Sequence, residues 1–223
     1  MTPARLAGLV LETADHPGTV AKLFTALGLN VAVLDDTTAE LRLDSGTVVQ
    51  LRQGTSPTRI GLRLSVPDLC VAAGALDEQR TPWTVPDPNV IRIERGDLTV
   101  DVTEGRPSLT GVTLYTADVG ASARFWRALS MEVVDANAAA AEADPADPYE
   151  PAVDVRLGGA VLMLRGCGVR PPTLAHKVIR VAEPIASCVG LDFAGWPYRR
   201  EGAALVMRTP DGAGVRVVPP LRK

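Results

Sequence analysis

The chain has 223 residues, which is enough for two small domains or one large one. Aromatic residues make up only 4% of the sequence, so we expect a core built from Val, Leu, Ala and Ile. The formal net charge of −3 implies no strongly basic face, and no run of about 20 apolar residues occurs, so we expect neither a nucleic-acid partner nor a membrane span.

The first half of the sequence predicts two βαβββ units. The first unit has a strand at 7–13, a helix from Pro17 to about Leu27 capped by Gly28, and strands at 30–34, 38–43 and 47–51. The second unit has a strand at 59–66, a helix from Pro67 to about Arg80, and strands near 82–85, 89–94 and 98–103. Residues 105–108 then indicate a linker because they contain Gly and Pro.

The second half predicts two more units of the same kind. The third covers about 109–165 and contains a long, Ala-rich, acidic loop at 136–151. The fourth covers about 173–219, with a short helix near Pro184–Leu191 that contains Gly190. The closing hairpin is predicted at 209–214, where Thr, Pro, Asp and Gly are typical turn residues.

An internal repeat relates the two halves. The segment GLVLETAD at 8–15 returns as GVTLYTAD at 111–118, and each copy leads into a helical stretch. Repetition of this kind indicates that one supersecondary unit is used more than once.

This pattern resembles the vicinal oxygen chelate superfamily, which includes glyoxalase I, extradiol dioxygenases, fosfomycin-modifying enzymes and bleomycin-resistance proteins. The resemblance is carried by the four units, by LYTAD at 114–118 with the following Phe125, Trp126 and Leu129, and by the TPDG hairpin ending at Gly212. It implies an α+β fold in which four βαβββ units pair into two tandem glyoxalase-like domains with cupped mixed sheets. The expected domains are 1–105, with units 5–54 and 58–104, and 109–223, with units 109–165 and 173–219.

Alternation along the strands predicts one apolar and one polar face. We expect the following residues of the first strands to face the helices: Leu9, Leu11, Leu62, Leu64, Val66, Val112, Leu114, Ile179 and Val181. In the first half the opposite face is mainly charged, as an ordinary solvated sheet face would be. In the second half Thr113, Tyr115, His176 and Arg216 mix donors with apolar surface, which favours a ligand pocket.

The predicted ligand set lies in the second half. It consists of Thr113, Tyr115, His176, Arg180, Trp196, Tyr198 and Arg216. The two arginines favour an anionic or carbonyl-rich ligand, unless Asp154 or Glu201 neutralises them. Trp196 and its counterpart Trp83 are expected on the second strand of their units, where each could stack a flat ligand or close the end of a core.

A metal site is not expected. The resemblance implies metal ligands on the first strands at Gly8, Gly61, Gly111 and His176, and on the last strands near Gln50, Asp101, Met163 and Arg216. Glycine has no ligating side chain, and a catalytic metal normally needs about three protein ligands. We therefore predict no metal and no cofactor. His16 is expected to be a turn or surface residue, and His176 either an ordinary strand histidine or a group that contacts the ligand or transfers a proton.

The sequence therefore favours a metal-independent protein that binds a small organic ligand, and leaves open whether it is an enzyme. One alternative is a metal-independent lyase, isomerase or cyclase with His176 and Tyr115 as acid–base groups, and another is a non-catalytic interaction subunit. A monomer or homodimer is expected. The three cysteines have no CxxC spacing and the N-terminus has no signal-peptide core, so we expect reduced thiols and a cytoplasmic location.

Overall fold

The computed structural model describes residues 4–54, 60–96, 98–135, 152–166, 178–182 and 187–218. The chain divides into two compact units. One is Ala7–Val112, and the other combines Met1–Leu6 with Thr113–Lys223. The division therefore falls a few residues after the linker predicted at 105–108, and each compact unit is described by itself.

The unit Ala7–Val112 contains two βαβββ repeats. The first repeat is β1 (Arg5–Thr13), α1 (Pro17–Ala26), β2 (Asn30–Asp35), β3 (Thr38–Arg42) and β4 (Val48–Gln53). The second is β5 (Ile60–Val66), α2 (Leu69–Glu78), β6 (Thr84–Asp87), β7 (Val90–Arg95) and β8 (Leu98–Glu104). The strand orders are β1-β4-β3-β2 and β5-β8-β7-β6, in different sheets. In both, the first and last strands pair in parallel and the others are antiparallel.

The second compact unit repeats this plan. The third repeat of the chain is β9 (Ser108–Thr116), α3 (Val119–Ala128), β10 (Glu132–Asp135), β11 (Ala152–Leu157) and β12 (Ala160–Gly166). Its fourth is β13 (Val178–Ala182), α4 (Ser187–Ala194), β14 (Tyr198–Glu201), β15 (Ala204–Arg208) and β16 (Gly214–Val218). The orders are β10-β11-β12-β9 and β14-β15-β16-β13, again in different sheets. The predicted α+β fold of four βαβββ units is confirmed. The predicted loop at 136–151 lies outside the described residues.

The apolar positions of the strands form the core, as their alternation predicts. The buried residues include Leu9, Leu11, Leu62, Leu64, Val66, Val112, Leu114 and Ile179. The charged residue Glu40 on β3 is also buried, with an exposed fraction of only 7%. Its carboxylate accepts hydrogen bonds from Arg42 Nε at 2.7 Å and Gln50 Nε2 at 2.9 Å, which compensate for the loss of water.

In α2 and α3 the first turn is capped by an aspartate that lies two residues after the end of the preceding strand. Asp68 and Asp118 each accept a hydrogen bond from an amide of the first helical turn. In the first repeat His16 takes this role through Nδ1, so it is a helix cap and not only a turn residue. The neighbouring Asp15 instead forms an ion pair with Arg95 at 2.6 Å, which ties the first repeat to the β7–β8 hairpin of the second.

The closing hairpin fixes the start of α3. The Asp211 carboxylate accepts hydrogen bonds from the Thr116 hydroxyl, from Ala117 N at 3.1 Å and from Ser122 Oγ at 3.1 Å. Thr116 and Ser122 are buried. The Asp of the predicted TPDG turn is therefore a structural residue. Within the described residues, none of the helices combines the length and apolar character needed to cross a bilayer.

Candidate functional site

A cavity of about 760 Å³ lies beside β14, β15 and β16. Its volume falls within the range of small-molecule pockets, about 300–1,000 Å³. The lining residues are Trp196, Pro197, Tyr198, Arg199, Glu201, Val206, Met207, Arg208, Thr209, Gly214, Val215 and Arg216. Three members of the predicted ligand set, Trp196, Tyr198 and Arg216, are among them.

The strand register separates the lining residues into two faces. Cross-strand partners share a face of the sheet. One row contains Arg199, Val206 and Arg216. The neighbouring row, which points to the opposite face, contains Tyr198, Met207 and Val215. Met207 and Val215 are buried in the core. Tyr198 therefore shares its face with core residues, while Arg216 lies on the open face.

Two arginines on the open face share one carboxylate. Arg199 Nη2 lies 2.6 Å from Glu201 Oε1, and Arg216 Nη1 donates to Glu201 Oε2 at 3.2 Å. The pairing of Arg216 with Glu201 is the neutralising alternative that the sequence left open. Arg208 adds a third guanidinium and donates to the Gly212 carbonyl at 2.9 Å. With three arginines and one glutamate, the lining side chains keep a formal charge of +2.

The tryptophan at the cavity edge also closes the core. Trp196 precedes β14 and is half-buried, so the prediction that it lies on the second strand of its unit is wrong by two residues. Its ring meets Phe125 edge to face, with centroids 5.5 Å apart and planes at 86°. Trp83 likewise precedes β6, and its Nε1 donates to Asp77 Oδ1 at 2.8 Å. Of these two tryptophans, Trp196 is the one that borders the cavity.

The remaining predicted ligand residues lie elsewhere. Thr113 and Tyr115 are on β9, in the sheet of β10–β12 and not that of β14–β16, and neither lines the cavity. The prediction that they share one concave face with Arg216 is wrong, because parity gives the face of a strand but not the sheet that the strand joins. The backbone of Arg180 on β13 is level with Arg216. His176 lies outside the described residues.

Sequence reasoning missed Arg199, Val206 and Arg208, and it named Glu201 only as a residue that could neutralise the arginines. In the fourth unit the parity argument covered only the first and last strands, so it left β14 and β15 unexamined. The alternation of Tyr198, Arg199, Arg200 and Glu201 on β14 carries the signal, since every second residue lies on the same face as Arg216.

The strand register also tests the positions expected for a metal. Gln50 pairs with Val10, and Asp101 pairs with Arg63. The residues that stand opposite the last-strand positions therefore lie two places after Gly8 and Gly61, where the first-strand ligands were expected. Val10 offers no ligand. Asp101 accepts two hydrogen bonds from Arg92, at 2.7 and 2.9 Å, and lies 3.9 Å from Arg63.

These residues do not fit a divalent cation. A carboxylate held between two guanidinium groups is already compensated, and the cations beside it repel a metal ion. No group of three or more His, Cys, Asp or Glu residues that could hold a metal occurs in the part of the chain that the structure describes.

Solved structures define the class of the fold. The described architecture is a glyoxalase-like fold, as its likeness to solved structures shows. A glyoxalase I mutant from Zea mays is similar over 97% of this chain and 92% of its own, with a TM-score of 0.67 and 16% identity.

Two further structures match at similar length. A proposed dioxygenase from Bacillus subtilis matches over 97% of this chain and 86% of its own, with a TM-score of 0.60 and 14% identity. The cppA protein from Streptococcus pneumoniae matches over 96% and 98%, with a TM-score of 0.51 and 8% identity. No protein-family model and no curated protein sequence matches the chain. Identities this low establish the fold alone, so activity has to be argued from the site.

Proposed function

We propose that this protein binds a small organic ligand in the cavity beside β14–β16, within the half 109–223, and that it does so without a metal. One observation carries the proposal. A cavity of ligand size places Arg199, Arg216 and their shared partner Glu201 on the open face of a sheet, with Val206 between the two arginines.

The charge of the lining supports an anionic or carbonyl-rich ligand. A guanidinium offers several N–H donors in a planar fork, and Glu201 engages Arg199 and Arg216 through one nitrogen of each. The side chain of Arg216 is 43% exposed at the cavity surface, where a ligand can reach it. Val206 and Trp196 supply apolar contact area, so the site combines a few oriented polar groups with an apolar floor.

Metal independence is supported by the residues that stand at the expected ligand positions. Gly8, Gly61 and Gly111 have no ligating side chain. Asp101, which could ligate, is engaged by Arg92 and Arg63. These positions therefore offer no set of side-chain ligands that could hold a metal ion for Lewis-acid chemistry.

Binding is favoured over turnover by the place of Tyr115. The enzymatic alternative uses Tyr115 and His176 as acid–base groups, but Tyr115 lies on β9 and does not line the cavity. A ligand held on β14–β16 would therefore not contact it. We accordingly propose a binding protein. We further propose that it is soluble and cytoplasmic and acts as a monomer or homodimer.

The test is a titration with an anionic aromatic probe, 8-anilino-1-naphthalenesulfonate, followed by probe fluorescence and by calorimetry. Wild-type protein should bind the probe saturably, with one site per chain. Arg216→Ala should weaken binding about ten- to a hundredfold, the loss expected for a charge-assisted hydrogen bond of about 1.5–3 kcal/mol. Tyr115→Phe should leave the affinity as it is.

Arg63→Ala is the matched control. Arg63 is also a strand arginine paired with a carboxylate, Asp101, but it lies on β5 in the other compact unit. If Arg63→Ala abolishes binding while Arg216→Ala does not, the site is in the other half of the chain. If the wild-type protein shows no saturable binding, the proposed function is wrong. Native mass spectrometry of the purified protein is the complementary measurement, because the mass of a co-purified ligand would help to identify it.

A further inference from the structure

The geometry points to Glu201 as a built-in competitor for the anionic group of the ligand: we infer that its carboxylate occupies the anion subsite between Arg199 and Arg216 and has to be displaced for the ligand to bind. This inference rests on the proposed function. It assigns to Glu201 a role in setting affinity and specificity, opposite in sign to that of the two arginines.

The register places the two arginines on either side of a central strand. Arg199 on β14 and Arg216 on β16 are both partners of Val206 on β15. Their Cα atoms are therefore about 10 Å apart, two strand spacings of about 4.8 Å each. Both guanidinium groups nevertheless reach one carboxylate, at 2.6 and 3.2 Å. The two long side chains thus converge on a single anion.

The anion at this point belongs to the protein. Glu201 lies two residues after Arg199 on β14 and therefore on the same face of the sheet. Its cross-strand partner is the small residue Ala204. A carboxylate, sulfonate or phosphate of a ligand would also offer negatively charged oxygen acceptors to the N–H groups that Glu201 now engages. The Glu201 carboxylate therefore stands in for the acidic group of the ligand.

The exposure of these three side chains indicates that Glu201 competes with the ligand and does not support its binding. The side chains of Arg199, Arg216 and Glu201 are 73%, 43% and 35% exposed. Ion pairs this open to water are worth little, about 0–1 kcal/mol, so a ligand that adds apolar contact with Val206 and Trp196 can displace Glu201. The displaced carboxylate can turn toward solvent because it sits at the end of β14.

The experiment compares two probes that share one aromatic frame, 8-anilino-1-naphthalenesulfonate and the neutral N-phenyl-1-naphthylamine. Both are titrated into the full chain as wild type, Glu201→Gln and Glu201→Ala. The measured quantity is the ratio of the two dissociation constants, which cancels changes in the apolar part of the site. Removing the competing charge should raise the preference for the anionic probe about two- to fivefold, the size of an exposed ion pair.

Glu132→Gln is the matched control, because Glu132 forms a similar exposed pair with Arg156 at 3.1 Å on β10 and β11. It makes the same change in net charge, and the probe ratio should stay at the wild-type value. Far-UV circular dichroism and the melting temperature of each variant show that it is folded.

Three outcomes are informative. A raised ratio in both Glu201 variants, with Glu132→Gln at the wild-type value, supports the inference. An unchanged or lowered ratio overturns it, since Glu201 would then be neutral or would hold the arginines in place for the ligand. Failure of the wild-type protein to bind the anionic probe instead overturns the proposed function, and the inference with it.

Discussion

Gly190 of α4 lies directly against the carbonyl oxygen of Ala128 of α3. A Cβ atom at position 190 would stand 2.2 Å from that oxygen, well inside van der Waals contact. The contact is with backbone, which cannot turn aside as a flexible side chain can. A glycine inside a helix normally weakens it, and here the missing side chain is what allows α3 and α4 to approach each other.

Gly190→Ala should therefore destabilise the protein in spite of the better helix propensity of alanine. We expect a loss of about 1–3 kcal/mol in the free energy of unfolding, the usual cost of forcing a methyl group into a packed site. Urea unfolding followed by circular dichroism measures it.

Gly74→Ala is the control for this prediction. Gly74 also lies within a helix, α2, but a Cβ there would meet nothing within 4 Å. That substitution should stabilise the protein by about 0.4–1 kcal/mol, because alanine restricts the unfolded chain. Equal effects of the two substitutions would show that propensity, and not the contact with Ala128, governs position 190.

A second prediction concerns Asp211. Asp211→Ala removes the acceptor for two buried hydroxyls, those of Thr116 and Ser122, which are 1% and 2% exposed. They keep their mutual contact at 3.1 Å but lose the stronger carboxylate partner. We expect a loss of about 1–3 kcal/mol, the cost of leaving a buried polar group short of a partner. Asp192→Ala, at an exposed position of α4, should change the same urea midpoint far less.

The repeat and the alternation predicted most of the fold because both are local. Strand β5 was expected at 59–66 and is Ile60–Val66, and helix α1 was expected from Pro17 to about Leu27 and is Pro17–Ala26. Helix α4 was expected at 184–191 and is Ser187–Ala194. Alternation in a strand reports burial directly, so the core positions followed from the sequence.

The site was harder to predict because it depends on which strands pair. Thr113 and Arg216 have the same parity in their strands, yet β9 and β16 belong to different sheets. Tyr198 was predicted in the ligand set and lines the cavity, but the register places it opposite Met207, on the core side of the sheet. Strand pairing is set by contacts between residues far apart in sequence, and a single sequence carries no local signal for them.

The turn between β2 and β3 makes a prediction about pH. The Thr37 hydroxyl and then the Thr37 amide, each 2.7 Å from Asp35 Oδ1, lower the pKa of the Asp35 carboxyl from its usual 3.8. A lowered pKa stabilises the fold above the usual value, and this contribution is lost as pH falls through the lowered pKa. Thr37→Val removes the largest cause, so the pKa of Asp35 should rise toward 3.8. An NMR titration of the carboxyl measures the change, and identical midpoints in the two proteins would contradict the assignment.

The final prediction is that the purified protein holds no stoichiometric Zn, Fe, Mn or Ni at the positions where the resemblance of the sequence implies metal ligands. Gly8, Gly61 and Gly111 offer no side-chain donor, and Asp101 is held by Arg92 and Arg63. Elemental analysis of protein expressed in metal-supplemented medium should therefore find well below one ion per chain. Dialysis against EDTA should leave the melting temperature unchanged, since no binding energy is linked to folding.

His176→Ala separates a native site from surface contamination. His176 is the one expected first-strand position with a ligating side chain. Metal bound adventitiously at the surface would be present in substoichiometric amounts in both proteins and would be removed by EDTA without a change in stability. About one ion per chain in the wild type, lost together with several degrees of melting temperature in His176→Ala, would instead establish a structural or catalytic metal and overturn the metal-independent part of the proposed function.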